Sequence, residues 1–146
     1  MRPEIPEALR RQVASRAGFR CEYCLFAERY ATFRHQIDHI ISVQHGGQLL
    51  FENLAYACIH CNRAKGPNIA TLDRTGQVSR LFDPRHQDWG DHFRLNGAVI
   101  EPVTAIGEAT VRLLKVNDIL RVQERLLLQQ AGVYPRFIGK PESTEL

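Results

Sequence analysis

Two short repeats, Cys21-Glu22-Tyr23-Cys24 and Cys58-Ile59-His60-Cys61, hold all four cysteines of the chain and constrain its fold more than any other feature. Two intervening residues let a turn aim both thiolates at one ion. Two such turns complete a tetrahedral sulfur cage, the closed form of a structural zinc site. The pairs are separated by 33 residues, more than the roughly 15–20 of a compact ribbon, so a folded insert must sit inside the cage's loop. The metal would clamp residues 21–24 to 58–61 and lend a small insert stability that its limited core could not supply. Disulfides fit poorly with Met1-Arg2-Pro3-Glu4-Ile5-Pro6-Glu7, which lacks the apolar segment of a secretory signal. A thioredoxin-like dithiol predicts one pair in a βαβ setting, not two. His60 lies within the second knuckle, but four thiolates suffice, so it is expected in solvent.

A chain of 146 residues is one domain's worth. Its 44% apolar and 24% charged content excludes wholesale disorder. The longest apolar run, Leu54 to Ile59, spans six residues, against roughly 20 for a bilayer. A soluble, cytoplasmic protein with no membrane partner is expected. The net charge of +3 is too weak to establish a nucleic-acid partner. Of the 19 basic residues, however, 16 are arginine, whose fork suits bidentate phosphate contacts; GC-rich coding bias gives the same composition. Residues 1–35 carry the whole +3 excess.

The periodicity predicts an α+β chain. Residues 6–17 read as a helix with Ala8, Leu9, Val13 and Ala17 as its apolar stripe. Arg10, Arg11 and Arg16 lie mostly outside that stripe, as a phosphate contact or a solvated face. Ile37, Ile40, Ile41 and Val43 give residues 35–43 strand content. Gly46-Gly47 marks a loop, Leu54–Ala57 a second strand, and Asn62–Lys65 a short helix ended by Gly66-Pro67. Farther on, Val78–Phe82 reads as a strand and Phe93–Ile100 as a hairpin turning at Asn96-Gly97. Residues 105–116 and 118–131 read as helices, the second capped by Asn117 and stopped at Gly132. Residues 133–146 read as a loose tail.

The insert carries the chemistry. Asp38 is a hard oxygen donor, and Asn62 offers an amide oxygen. Two protein oxygens plus waters and phosphate oxygens are the usual way to hold Mg²⁺. His39 stands beside Asp38, and a neutral imidazole is the best-matched general base for a water attacking a phosphate. Singly, each residue has a plain structural reading: Asn53 as a strand-start residue, Asn62 as a helix N-cap. Jointly, they fall between or next to two metal knuckles in strand–loop–strand–helix order.

The run Ile37-Asp38-His39-Ile40-Ile41, then Gly46-Gly47, Asn53-Leu54 and Cys58-Ile59-His60-Cys61-Asn62-Arg63-Ala64-Lys65-Gly66, resembles the HNH endonucleases. Their fold is the ββα-metal (His-Me finger) unit. The likeness implies such a core over residues 19–67, stapled by the four-cysteine zinc site. Residues 1–18 would add an N-terminal helix, and residues 68–132 a C-terminal scaffold of a hairpin plus helices, all within one domain. It implies His39 as general base, Asp38 as metal-binding acid, and Asn53 as the residue that braces the loop and orients the base. Asn62 falls where many members have a last histidine, so this is an Asn-ending variant. An amide oxygen there favours Mg²⁺ or Mn²⁺. Lys65, Arg63 and His45 are candidate phosphate contacts.

The expected activity is endonucleolytic hydrolysis of DNA, engaged through the minor groove or backbone by the short helix, with 5′-phosphate and 3′-hydroxyl ends. One site cuts one strand, so a double-strand break requires two sites. Ile119, Val122, Leu126 and Leu127 form a stripe that either covers the core or makes a homodimer face. The alternatives are a zinc-stapled nucleic-acid-binding module that never cuts, and a structural zinc protein that binds another protein.

Overall fold

The computed structural model describes residues 4–135. A first helix, α1 (Glu7–Arg16), starts after Pro6 in extended geometry (φ −58°, ψ 143°). Proline at the entry costs nothing there, because the first N–H groups have no intrahelical acceptor. Val13, Ala14 and Ala17 bury their side chains against Ile37, Leu54 and Tyr56. Of the three arginines placed outside the apolar stripe, only Arg11 is exposed. The Arg10 guanidinium donates to the His35 carbonyl at 2.5 Å, and Arg16 donates to the Phe51 and Leu54 carbonyls at 2.9 and 2.5 Å. These two arginines staple α1 to the insert and are not free to meet a phosphate.

The insert is a ββα unit. Strands β1 (Gln36–His39) and β2 (Leu54–Ala57) pair antiparallel, with Ile37 opposite Tyr56 and Asp38 opposite Ala55. Helix α2 (Ile59–Lys65) follows directly. Alternation along β1 sends Ile37 to the α1 side and leaves Gln36 and Asp38 facing α2. The first knuckle docks on the outside of β2: Glu22 N donates to the Tyr56 carbonyl at 2.8 Å, and Tyr56 N donates to the Glu22 carboxylate at 2.9 Å. The second knuckle is the start of α2 itself, with Cys58 as its N-cap. The sheet thereby sets the two cysteine pairs side by side.

The expected C-terminal hairpin is β5 (Phe93–Asn96) with β6 (Val99–Pro102). Before it come β3 (Ala70–Leu72), paired with β4 (Val78–Arg80), and the single turn of α3 (Trp89–His92). The loop residues of the hairpin are Gly97-Ala98, one place later than expected, and Gly97 alone takes a positive φ (61°). Strand β3 was not foreseen, since Ala70-Thr71-Leu72 offers no buried face of its own. Helix α4 (Ala105–Leu114) is capped by Thr104, which accepts from Gly107 N at 3.0 Å. It packs on β6, α2 and the β3–β4 pair. Helix α5 (Ile119–Gln130) begins after Asp118 rather than at an Asn117 cap. Asn117 is engaged elsewhere, bonded both ways to the Ile100 backbone.

One core cluster joins Cys21, Tyr23, Cys24, Ala55, Cys58 and Cys61 with Phe82, Phe93, Ile100, Leu114 and Val116. The C-terminal half therefore shares its interior with the knuckles. Within the segment expected as a loose tail, Tyr134 is buried, and its hydroxyl donates to the Cys24 carbonyl at 2.8 Å. Residues 136–146 of that tail lie outside the described residues. No described helix is long and apolar enough to cross a membrane.

Candidate catalytic cleft and metal centre

The four cysteine sulfurs lie within 4.8 Å of one another, all buried and none in a disulfide. Cys24 and Cys58, from different knuckles, stand 3.8 Å apart. That equals the edge of about 3.8 Å for a tetrahedron with metal–sulfur bonds of about 2.3 Å. Backbone N–H groups of Tyr23, Cys24 and Cys61 point at the sulfurs of Cys21 and Cys58, each at 3.4 Å. Such donors favour thiolate over thiol. Burial pushes the Cys21 and Cys61 thiols up, whereas hydrogen bonds from the other three bring Cys24 down. Four buried sulfurs in this geometry, without an ion, would repel one another as thiolates. They fit a metal ion such as zinc.

One contact to the cluster was not foreseen. Arg121 of α5 donates to Cys61 Sγ at 2.9 Å and lies 3.6 Å from Cys58 Sγ. Burial works against its charge, yet the sulfurs of Cys61, Cys24 and Cys58 outweigh that cost and raise its pKa.

Asp38 is 1% exposed and sits at the second rung between β1 and α2. Tyr23 Oη donates to its Oδ2 at 2.7 Å, and Lys65 Nζ to its Oδ1 at 3.2 Å. Lys65 also donates to the His39 and Ile40 carbonyls, at 3.1 and 3.3 Å. Tyr23 belongs to the first knuckle, and Lys65 ends the helix that the second knuckle starts. The sulfur cluster therefore decides where Tyr23 and Lys65 stand beside Asp38. Burial and then the Asp38 charge hold the Tyr23 phenol well above its ordinary pKa, so it keeps the proton it donates.

Lys65 is where the structure departs most from expectation. It was placed with Arg63 and His45 as a phosphate contact, but it is itself 1% exposed, and all three of its ammonium hydrogens have acceptors inside the protein. Positions 62 and 65, three apart on α2, form one face. That face turns inward to the β1 row of Gln36 and Asp38, which leaves Arg63 exposed. His45 is also exposed, in a tight turn over residues 43–45.

The first rung of the same ladder joins Asn62 and Gln36, with Asn62 Nδ2 donating to Gln36 Oε1 at 2.5 Å. Asn62 Oδ1 is buried and has no hydrogen-bond donor among the described residues. A buried acceptor left so is costly, and a hard cation or its water would relieve it. The Asn62 amide and the Asp38 carboxylate are oxygen donors of the kind a hard divalent ion takes.

His39, buried on the other face of β1, borders an open cleft with a volume of about 410 Å³. Asp38, Ser42, Val43, Gln44, Gly66 and Pro67 complete its wall. Asn62, Arg63 and His45 are not among the lining residues. Asn53 ties together the two ends of the loop that contains residues 42–44. Its Oδ1 accepts from Ile41 N at 2.9 Å, and its Nδ2 donates to the Ile41 and Gln48 carbonyls, both at 3.0 Å. The Asn53 carbonyl accepts from Ile40 N, next to His39.

Tyr23, Gln36 and Arg121 went unassigned in the sequence. Tyr23 was legible only as knuckle filler and Gln36 only as the residue two before Asp38. Nothing in the sequence singles out Arg121. No curated protein and no solved structure matches the chain. Residues 21–68 match the family described as HNH endonuclease, so it is to that family that the chain is similar, over the segment that holds both knuckles, Asp38, His39, Asn53 and Asn62.

Proposed function

We propose that this protein is a metal-dependent endonuclease that hydrolyses DNA phosphodiester bonds, with a structural Zn²⁺ in the four cysteines and a catalytic Mg²⁺ or Mn²⁺ held by Asp38 and Asn62. The observation that carries the reading is the position of the Asp38–His39 pair, at the end of β1, on the wall of an open cleft. The cleft admits a backbone phosphate. The His39 imidazole takes the proton of a water that attacks in line. Asn53 holds the loop that forms the wall around it, through its bonds to Ile41 and Gln48. When bound, the divalent ion supplies neutralisation of the charge that develops on phosphate and leaving oxygen. Arg63 and His45, both exposed, reach phosphates outside the cleft.

A supercoiled-plasmid nicking assay with Mg²⁺ or Mn²⁺ tests this. His39→Ala and Asp38→Ala should each lower nicking by about 10²–10⁴-fold, the range of a general base or a positioned charge. Unchanged nicking in both would remove the assignment.

One observation favours the second reading, a binding module that does not cut: Asp38 already has the Lys65 ammonium as a buried partner. That reading predicts DNA binding that falls steeply with salt but no nicking by the wild type.

A further inference from the structure

Helix α5 is packed inside out. Ile119, Leu120 and Leu127 are 71%, 70% and 64% exposed, whereas Arg121 and Arg125 are buried. An amphipathic helix normally does the reverse, because burying a charged side chain is strongly unfavourable unless it is paired. What each arginine meets inside explains the reversal. Among the described residues, Arg125 donates only to oxygens: the Ala98 and Val116 carbonyls and Asn117 Oδ1. Arg121 is different. Its Nη1 is held by the Leu114 and Lys115 carbonyls at the C-terminal end of α4, at 2.7 and 3.1 Å. Its Nη2 reaches Cys61 Sγ and Cys58 Sγ.

Four thiolates around one divalent ion carry a net charge of about −2, here sealed in a core where uncompensated charge is expensive. We propose that Arg121 is the built-in counter-charge of the metal–tetrathiolate centre. It draws electron density from the Cys58 and Cys61 sulfurs and so shields that knuckle from electrophiles and oxidants. The C-terminal helices thereby act on the centre chemically as well as covering it. The assignment rests on the zinc reading above and extends it to a residue 60 positions beyond Cys61. A guanidinium hydrogen bond lowers the nucleophilicity of a bound thiolate in the way that partners outside the ligand set tune other metal sites.

The test uses the full-length, zinc-loaded chain. Metal analysis first establishes zinc per chain; iodoacetamide is then added, and alkylation at each cysteine is followed by mass spectrometry. Cys24 and Cys58 border the same cavity of about 220 Å³, so in the wild type Cys24 should react ahead of Cys58. In Arg121→Gln, alkylation at Cys61 and Cys58 should speed up by about tenfold or more, the lower bound for such partners. Arg121→Lys should recover part of the protection, and Arg125→Gln should leave the order of reaction unchanged. The proposal is overturned by wild-type rates and order in Arg121→Gln. It is equally overturned by the same bias in Arg125→Gln, or by Cys58 reacting first in the wild type. Chains found without zinc would overturn the metal reading and this proposal together.

Discussion

The Lys65 ammonium is sealed between the Asp38 carboxylate and the His39 and Ile40 carbonyls. Next to Arg63 on a short helix, a lysine looks like a phosphate contact. Inside the fold it is a buried partner of Asp38, as is Tyr23. The reason is the helical repeat: a side chain three residues from Asn62 must share its face, and that face is pressed on β1. Replacing Lys65 by Met leaves the Asp38 carboxylate buried without its cation, which should cost about 3–5 kcal/mol in urea unfolding. A loss under about 1 kcal/mol would be that of an exposed pair and would return Lys65 to the surface. Arg10 and Arg16 teach the same lesson. Arginine in excess suggested phosphate, but two of the three on α1 end on backbone carbonyls.

At the scale of elements, the ββα order was legible because each part has its own local signal: β-branched residues at 37–43, Gly46-Gly47, and Gly66-Pro67 as a stop. The close approach of Gly47 to Ile41, just past the end of β1, was not. A Cβ on Gly47 would stand 1.6 Å from the Ile41 carbonyl oxygen and 2.9 Å from Asn53 Nδ2. The obstacle is backbone that cannot swing away, so Gly47→Ala must displace the 41–48 segment that forms the cleft wall. Nicking should fall about a hundredfold, as for other small misplacements around a reacting centre, while zinc content stays unchanged. Wild-type nicking in this variant would show that the wall does not position His39. Strand β3 and the true start of α5 escaped notice for a related reason. Ala70-Thr71-Leu72 is a strand only because β4 pairs with it. Asn117 is drawn away from the helix start by the Ile100 backbone.

Across the whole molecule, the sulfur cluster is the junction. The knuckles share a core with Phe82, Phe93, Ile100 and Leu114, and two side chains from the C-terminal half donate to knuckle carbonyls: Trp89 to Tyr23 at 2.9 Å and Tyr134 to Cys24 at 2.8 Å. Stripping the metal with a chelator should therefore lower the melting temperature of the chain as one cooperative unit. Trp89, the single tryptophan, is the natural probe: its fluorescence transition should coincide with that of far-UV circular dichroism. Separate transitions would show that the C-terminal half holds together without the knuckles. Ile119, Leu126 and Leu127, three of the four residues of the α5 stripe, are exposed, so the stripe does not cover the core: hydrophobic periodicity locates a helix but cannot say which of its sides packs inward.

Residue chemistry at fixed spacing was enough to single out four cysteines that meet in one cluster and the ββα order around them, because a knuckle, a turn and a strand each impose their geometry over a few neighbouring residues. Contacts between residues far apart in the chain awaited the fold. Asp38 meets Lys65 across 27 positions and Cys61 meets Arg121 across 60. Only packing determines which buried charge finds which partner, since desolvation makes every unpaired arrangement too costly to persist.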